Sequence, residues 1–328
     1  MRKIKHLLPL LVLWIGTTLS IETGNQRALF QRMDGSAPSE RIIGGESIPG
    51  ACTSFTAQDS DTILFGNNED YSNPNTYLWV EPSSEEAYGG IYLGYQKGEP
   101  QGGINEKGLA YDGLALSPAR LNWDPELPYV QVSSTAFWGK VLRSCANVEE
   151  AIQMSTGYNW GRQINYQIII ADPSGDSAVL GAGPDGALTV TRKPLGDGFL
   201  VATNFNLANP DEADGGYPCP RYETATRMLQ KIQDEGNLSV ESVRDVLDAV
   251  HQEGSTNNTL YSNIFDLRNG VVYMFYWHQY GELVTLNVVE EVAKGAAITP
   301  IRDLFSEPTL AGAEMEFGRY QGKVPLVG

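Results

Sequence analysis

Three cysteines, Cys52, Cys145 and Cys219, and three histidines, His6, His251 and His278, bound the nucleophilic chemistry open to this chain. A serine or cysteine nucleophile of the triad type needs a well-placed imidazole as its base, and imidazoles are scarce here. A cysteine at a newly exposed N-terminus escapes that need. Its own α-amino group titrates near about 7.7–8.0 and can take the thiol proton at neutral pH. Cys52 is the candidate, because residues 1–51 do not read as part of a core. An odd cysteine count in an exported chain also leaves at least one thiol unpaired. Cys145, in an apolar helical segment, and Cys219, between two prolines, read as structural, with a Cys145–Cys219 disulfide left open. Two other readings of Cys52 stay open: an ordinary buried cysteine and a lipobox cysteine. Against the lipobox stand the preceding Pro-Gly-Ala and the distance from the leader's apolar run.

The leader itself has three parts. Arg2, Lys3 and Lys5 precede the apolar run Leu7 to Gly16, and Thr17, Thr18 and Ser20 follow it. That order marks residues 1–20 as a secretory signal peptide, too short in its apolar run to span a bilayer, which takes about 20 residues. Residues 21–51 lack helical or strand periodicity and read as a pro-segment or linker removed before Cys52, leaving 52–328 as one catalytic domain. The expected location is outside the cell or in the periplasm. Arg41-Ile-Ile-Gly-Gly resembles an activated trypsin-like N-terminus, but the histidine content does not support that enzyme class. The net charge of −17 and pI near 4.6 argue against nucleic acid and anionic membranes, which reward Lys/Arg clusters. No stable membrane insertion is expected after processing. Neither a His/Cys ligand cluster nor a Gly-rich phosphate loop stands out in the sequence, so no metal and no organic cofactor is expected.

The elements that must position Cys52 are mostly strands. Short β-type runs fall at 53–55, 62–65, 90–95 and 109–114, with Asn105-Glu-Lys-Gly108 as a tight turn before the last of these. Helices are expected at 133–143 and at 148–154, the second capped by Asn147. The apolar strand 165–171 turns through Asp172-Pro-Ser-Gly-Asp176 into 177–180, and 199–203 is another strand. Helices at 222–235 and 239–252 precede a hairpin, 262–267 and 271–277, turned by Arg268-Asn-Gly270, and a last strand at 283–288. Ser239 with Ser242 lacks the Glu of a full capping box. Hairpin connections without βαβ periodicity predict an α+β domain of antiparallel sheets with helices outside them.

Motifs in this order resemble one family. Ala51-Cys52-Thr-Ser-Phe55 and Phe65-Gly-Asn-Asn-Glu-Asp70 are followed by Gly103-Ile-Asn-Glu-Lys-Gly-Leu109 and Ile170-Ala-Asp-Pro-Ser-Gly-Asp-Ser177. Ala202-Thr-Asn-Phe205, the Tyr222 to Arg227 segment and Ser262-Asn-Ile-Phe-Asp266 complete the set. Together they resemble the N-terminal-nucleophile (Ntn) cysteine hydrolases of linear amides, the group of choloylglycine hydrolase, penicillin V acylase and the isopenicillin acyltransferase-like enzymes. The resemblance implies an αββα sandwich of two antiparallel sheets flanked by helices. It implies Cys52 as nucleophile, Asp70 as the carboxylate that holds it, and Asn204 as oxyanion donor. Arg227 is the arginine that stabilises the charged site, with Arg221 as rival for that role.

Two positions depart from the family pattern. Asn67 stands where bile-salt hydrolases carry an arginine, and Ala115 falls near the second oxyanion position, where only a backbone N–H can serve. Both bear on substrate binding. The implied reaction is hydrolysis of a linear, non-peptide C–N bond in a small N-acyl amide through a thioester. Missing the cation at Asn67, the site is expected to favour neutral substrates over bile-salt conjugates. Acyl transfer within the same fold, and a secreted or lipid-anchored binding protein without activity, are the alternatives.

Overall fold

The computed structural model describes residues 52–194, 197–211, 216–254 and 257–320. The expected signal peptide and pro-segment lie outside the described residues. Six strands come first: β1 Thr53–Gln58, β2 Ile63–Tyr71, β3 Tyr77–Glu81, β4 Gly90–Gln96, β5 Glu99–Asn105 and β6 Ala110–Arg120. Helices α1 Ser134–Ser144 and α2 Val148–Thr156 lead into β7 Gln163–Ala171, β8 Ser177–Ala182, β9 Leu188–Arg192 and β10 Phe199–Ala202. Then follow α3 Pro220–Glu235, α4 Val240–Ala249, β11 Asn258–Asp266, β12 Val271–Tyr276 and β13 Gln279–Asn287. The described chain closes with α5 Val288–Lys294, β14 Ala297–Pro300, a 3-10 turn Ile301–Leu304 and α6 Glu307–Tyr320.

Every strand pairing is antiparallel. One sheet runs β10-β1-β2-β11-β12-β13 and the other β14-β3-β4-β5-β6-β7-β8-β9. Both faces of each sheet are covered in the middle, so the central strands read as nearly continuous buried runs instead of alternating ones. In β7, Ile168 and Ile170 face α1 and α2, while Ile169 and Ala171 face the other sheet. The β-branched triplet suits a strand packed on both sides. Three apolar layers result: α1 and α2 on the larger sheet, the inter-sheet layer, and α3 and α4 on the smaller sheet. The fold is the expected αββα sandwich.

Local chemistry explains the helices. Ser133 caps α1 by accepting from Ala136 N, and Phe137, Trp138, Val141 and Leu142 form its buried stripe. Each such side chain contributes roughly 1.5–3 kcal/mol when fully buried. Asn147 caps α2 at Glu150 N, 2.9 Å. Ser242 takes the place of the missing Glu: its hydroxyl accepts from Ser239 N while Ser239 Oγ accepts from Ser242 N, a complete reciprocal cap on α4. The turn before β6 is locked by the buried Asn105. Its Oδ1 accepts from Lys107 N and Leu109 N, and its Nδ2 donates to Leu142 O and Cys145 O, two carbonyls at the end of α1. Gly108 closes that turn at φ 81°, and a Cβ there would lie 2.4 Å from Leu267 O.

Several elements differ from expectation. The helix expected at 239–252 stops at Ala249, and the strand expected at 283–288 is the end of β13, with Val288 already in α5. Asn287 is the reason, since its side chain caps α5 by accepting from Glu290 N. Cys145 and Cys219 are both free thiols, so the open disulfide does not form; Cys145 Sγ instead contacts Met154 Sδ at 3.7 Å.

Candidate active site

Cys52 sits at the mouth of β1, an inner strand of the smaller sheet. Phe55 and Ala57 face the α3/α4 layer, so strand alternation turns Cys52, Ser54 and Thr56 toward the larger sheet. Ser54 Oγ accordingly donates to Asp112 of β6 at 2.7 Å, and Thr56 to Ser177 of β8 at 3.2 Å. On its two edges β1 pairs with β2 (Thr53 opposite Asn68) and with β10 (Ser54 opposite Ala202). Continuing those registers places Glu69 of β2 and Asn204, two residues past β10, on either side of position 52, with Asp70 one residue beyond Glu69.

Arg221 joins them from the first turn of α3. Pro220 opens that helix, where a missing N–H costs nothing. The guanidinium reaches Cys52 O at 2.5 Å and Thr53 Oγ1 at 2.8 Å through Nη1, and Asn204 Oδ1 at 3.0 Å through Nη2. Asn204 Nδ2 donates to Ala115 O at 2.8 Å, which leaves its second amide hydrogen for another acceptor. Arg227, six residues further along α3, is exposed. The expectation for Arg227 is therefore corrected in favour of its rival: six residues at 3.6 per turn carry the side chain to a different helix face.

Asn67 also needs correction. It is buried between the sheets, with Oδ1 2.9 Å from Ser54 Oγ, and donates to Asn263 Oδ1 at 3.4 Å. It does not line the cavity over Cys52, whereas Ala115 does.

Glu69 went unremarked in the sequence and stands closest to the thiol. Cys52 Sγ lies 3.8 Å from Glu69 Oε1 and 3.9 Å from the carbonyl oxygen of Asp70. Tyr95 donates to the same Oε1 at 2.8 Å, while Glu69 Oε2 is buried without a partner. Burial pushes this carboxyl up from 4.5 to about 7, against hydrogen bonds from Tyr95 and Asn67 that act the other way. Its signal was available: Phe65, Asn67 and Glu69 alternate onto the inward face of β2.

Asp70 accepts from Thr259 Oγ1 at 2.5 Å, and its Oδ2 has no partner. Burial holds it well above the usual carboxylate range, opposed by the Thr259 bond and the Arg221 charge. Asp112 is raised by burial and then by the nearby Glu69. The thiol of Cys52 is pushed well above its ordinary value, first by burial and then by the charges of Glu69, Asp70 and Asp112. In this environment the sulfur stays protonated unless a base or a new positive charge arrives beside it.

A cavity of about 200 Å³ opens over this group. Cys52, Glu69 and Asp70 line one side, and Tyr111, Leu114, Trp138, Tyr166 and Ile168 an aromatic and aliphatic wall. Trp138 Nε1 is buried there without a partner. Among the described residues no Lys or Arg lines it, while Glu99 adds a third carboxylate. A larger hollow of about 520 Å³ lies at the C-terminal end of α3, beside Gln58, Lys193 and Asp197, away from Cys52.

The sandwich of two antiparallel sheets between helical layers is that of the Ntn hydrolases. It is similar to penicillin V acylase from Agrobacterium tumefaciens, with a TM-score of 0.56 and 19% identity over 75% of this chain and 90% of that one. It is also similar to a variant of conjugated bile acid hydrolase from Clostridium perfringens, with a TM-score of 0.59 and 18% identity over 76% of this chain and 96% of that one. Residues 56–280 match the profile of the acyl-coenzyme A:6-aminopenicillanic acid acyl-transferase family, and the chain belongs to that family of Ntn amidases and acyltransferases. No curated protein sequence matches it. Among the described residues, no helix is long and apolar enough to cross a membrane.

Proposed function

We propose that the mature protein begins at Cys52, outside the cytoplasm, and hydrolyses the C–N bond of a small linear N-acyl amide. The observation that carries this reading is the setting of Cys52: the start of an inner strand, between Glu69–Asp70 on one side and Asn204 on the other, with its carbonyl held by Arg221. In the full-length chain the Cys52 nitrogen belongs to a peptide bond. Cleavage before it frees an α-amine, which supplies the base that this buried thiol lacks. The amine takes the thiol proton, the sulfur bonds to the amide carbon, and the oxyanion accepts from the remaining Asn204 amide N–H. As the C–N bond breaks, the proton passes to the leaving amine. Water then attacks the thioester and restores the thiol.

The carboxylates around the thiol, in a cavity with no Lys or Arg among the described residues that line it, favour neutral over anionic substrates. The family profile favours a second reading, in which an amine rather than water takes the acyl group. Intact mass of the purified protein, followed by a panel of N-acyl amides with and without an added amine acceptor, tests both. A mature N-terminus at Cys52, amide cleavage that Cys52→Ala abolishes, and free acid as product are expected. Acylated acceptor as main product would favour transfer; activity in a protein that keeps residues before Cys52 would overturn the mechanism.

A further inference from the structure

No His/Cys ligand cluster is visible along the sequence, yet the fold brings His251 and His278 together. His251 follows α4, and His278 lies in the tight β12–β13 turn, next to Trp277 at φ 51°. Their rings stack with centroids 4.5 Å apart and planes 23° apart. One ligand atom from each of His251, Glu253 and His278 lies within 4.8 Å of the others.

The surroundings of both imidazoles favour a cation. His251 Nδ1 contacts the carbonyl of Asp248 and lies 3.2 Å from its Oδ1, while His251 Nε2 lies 3.0 Å from Glu253 Oε1. Both nitrogens thus face oxygens that only accept. A neutral imidazole has one N–H, so its other lone pair points at an acceptor unless a proton or a metal ion stands between them. The His278 side chain is 5% exposed; its Nδ1 lies 3.0 Å from Glu316 Oε2 without the geometry of a hydrogen bond, and its Nε2 is buried with no partner. An imidazole with a carboxylate beside one nitrogen and an unpartnered second nitrogen is the arrangement in which metal-ligating histidines are held. Glu316 is in turn fixed by Gln279 Nε2 at 2.9 Å.

We infer that His251, Glu253 and His278 bind one divalent transition-metal ion of the zinc class, with Asp248 and Glu316 backing the two imidazoles. Two imidazoles and one carboxylate suit zinc far better than calcium or magnesium, which prefer all-oxygen shells. A tetrahedral ion with bonds near 2.0–2.1 Å wants ligand atoms about 3.3 Å apart. The set must close by about 1.5 Å at most. Glu253 Oε1 already lies 3.0 Å from His251 Nε2, so the closure falls on the distances to His278. It requires the two imidazoles to turn out of their stacked arrangement toward the ion, with Glu253 following by rotation. The ion ties the end of α4 to the β12–β13 hairpin. Between its two ligands on that segment, Gln252 N donates to Thr259 Oγ1 at 2.8 Å and Gln252 O accepts from Thr259 N at 3.0 Å. Thr259 is the donor to Asp70. The ion therefore stiffens the segment that supports the carboxylate beside Cys52.

The test uses the full chain carrying Cys52→Ala, which removes a competing thiol, purified without a histidine tag and stripped with a chelator. Zinc titration by calorimetry is expected to give one ion per chain with a Kd below about 1 µM, and a Tm raised by a few degrees. Cobalt is expected to give the visible bands of a four-coordinate nitrogen–oxygen site. In the same background, Glu253→Gln and His251→Ala are expected to weaken zinc binding by at least about 10-fold while leaving the metal-free Tm unchanged. His278→Ala opens a buried position and is not relied on. Should His251→Ala lower the metal-free Tm, Glu253→Gln decides, since its side chain is exposed. A protein that takes up no zinc at about 100 µM, or a Glu253→Gln variant that binds as tightly as its parent, overturns the site and leaves a surface ion-pair network.

Discussion

Glu69 allows a stability prediction with a definite sign. Its carboxyl is raised from 4.5 to about 7 by burial, so the native state holds a proton that the unfolded chain releases. Stability therefore falls as pH rises through the window between those values. None of the cost is felt well below 4.5, and all of it is present above 7. At about 1.36 kcal/mol per pH unit, the full cost is about 3 kcal/mol. Glu69→Gln keeps the shape and an acceptor for Tyr95 but carries no charge at any pH. Its advantage over the parent should be below about 1 kcal/mol at pH 5 and should grow by about 2 kcal/mol at pH 8. The assay is urea unfolding of both proteins at the two pH values, with Cys52→Ala in each so that the N-terminus is the same. An advantage of equal size at pH 5 and pH 8 would refute the assignment of Glu69 as a buried carboxyl that costs stability when it ionises.

Two further outcomes concern catalysis. Asn204→Ala should lower kcat by about 10²–10³ with little change in folding, the usual effect of losing one oxyanion donor; steady-state kinetics on any amide the enzyme cleaves will show it. Arg221→Met should lower kcat at least about 10-fold and lower Tm, since it removes three charge-assisted bonds that hold Cys52, Thr53 and Asn204, whereas Arg227→Met should match the parent in both measurements.

What was legible in the sequence follows from how local each signal is. The 165–171 strand, the Asn105–Gly108 turn, the Asn147 cap and the Arg268–Gly270 turn are written in adjacent residues, and the structure has all of them. Strand β5 was not read because Pro100, Gly102 and Gly103 are poor strand formers; the sheet tolerates them where backbones approach closely, as at Gly102, whose added Cβ would sit 2.5 Å from Asp112 Oδ1. Helix α6 contains a Pro and two Gly and was also missed. The structure brings the expected Cys52, Asp70 and Asn204 together, but the Asp70 carboxylate accepts from Thr259 and only its backbone oxygen faces the thiol. The order of motifs did not say which arginine reaches them. That depends on where α3 begins relative to β1, a tertiary relation with no local signature. The same holds for His251 and His278, which are unremarkable until a helix end and a hairpin turn meet.

The surroundings of Cys52 are assembled from parts of the chain made at very different times. Asp70 follows soon after it, but Arg221 lies 169 residues away and the Thr259 that steadies Asp70 is 189 residues from its partner. Neither contact can form until β11 has paired with β2 and α3 has docked beside β1, long-range steps of the kind that slow folding. If Cys52 itself makes the cut that frees its amine, that cut cannot precede the native fold. The severed leader would then be a permanent record, carried by each molecule, that its folding had been completed. In a set of destabilised variants, the fraction of chains cleaved would count the molecules that had ever reached the native state, including those that later lost it.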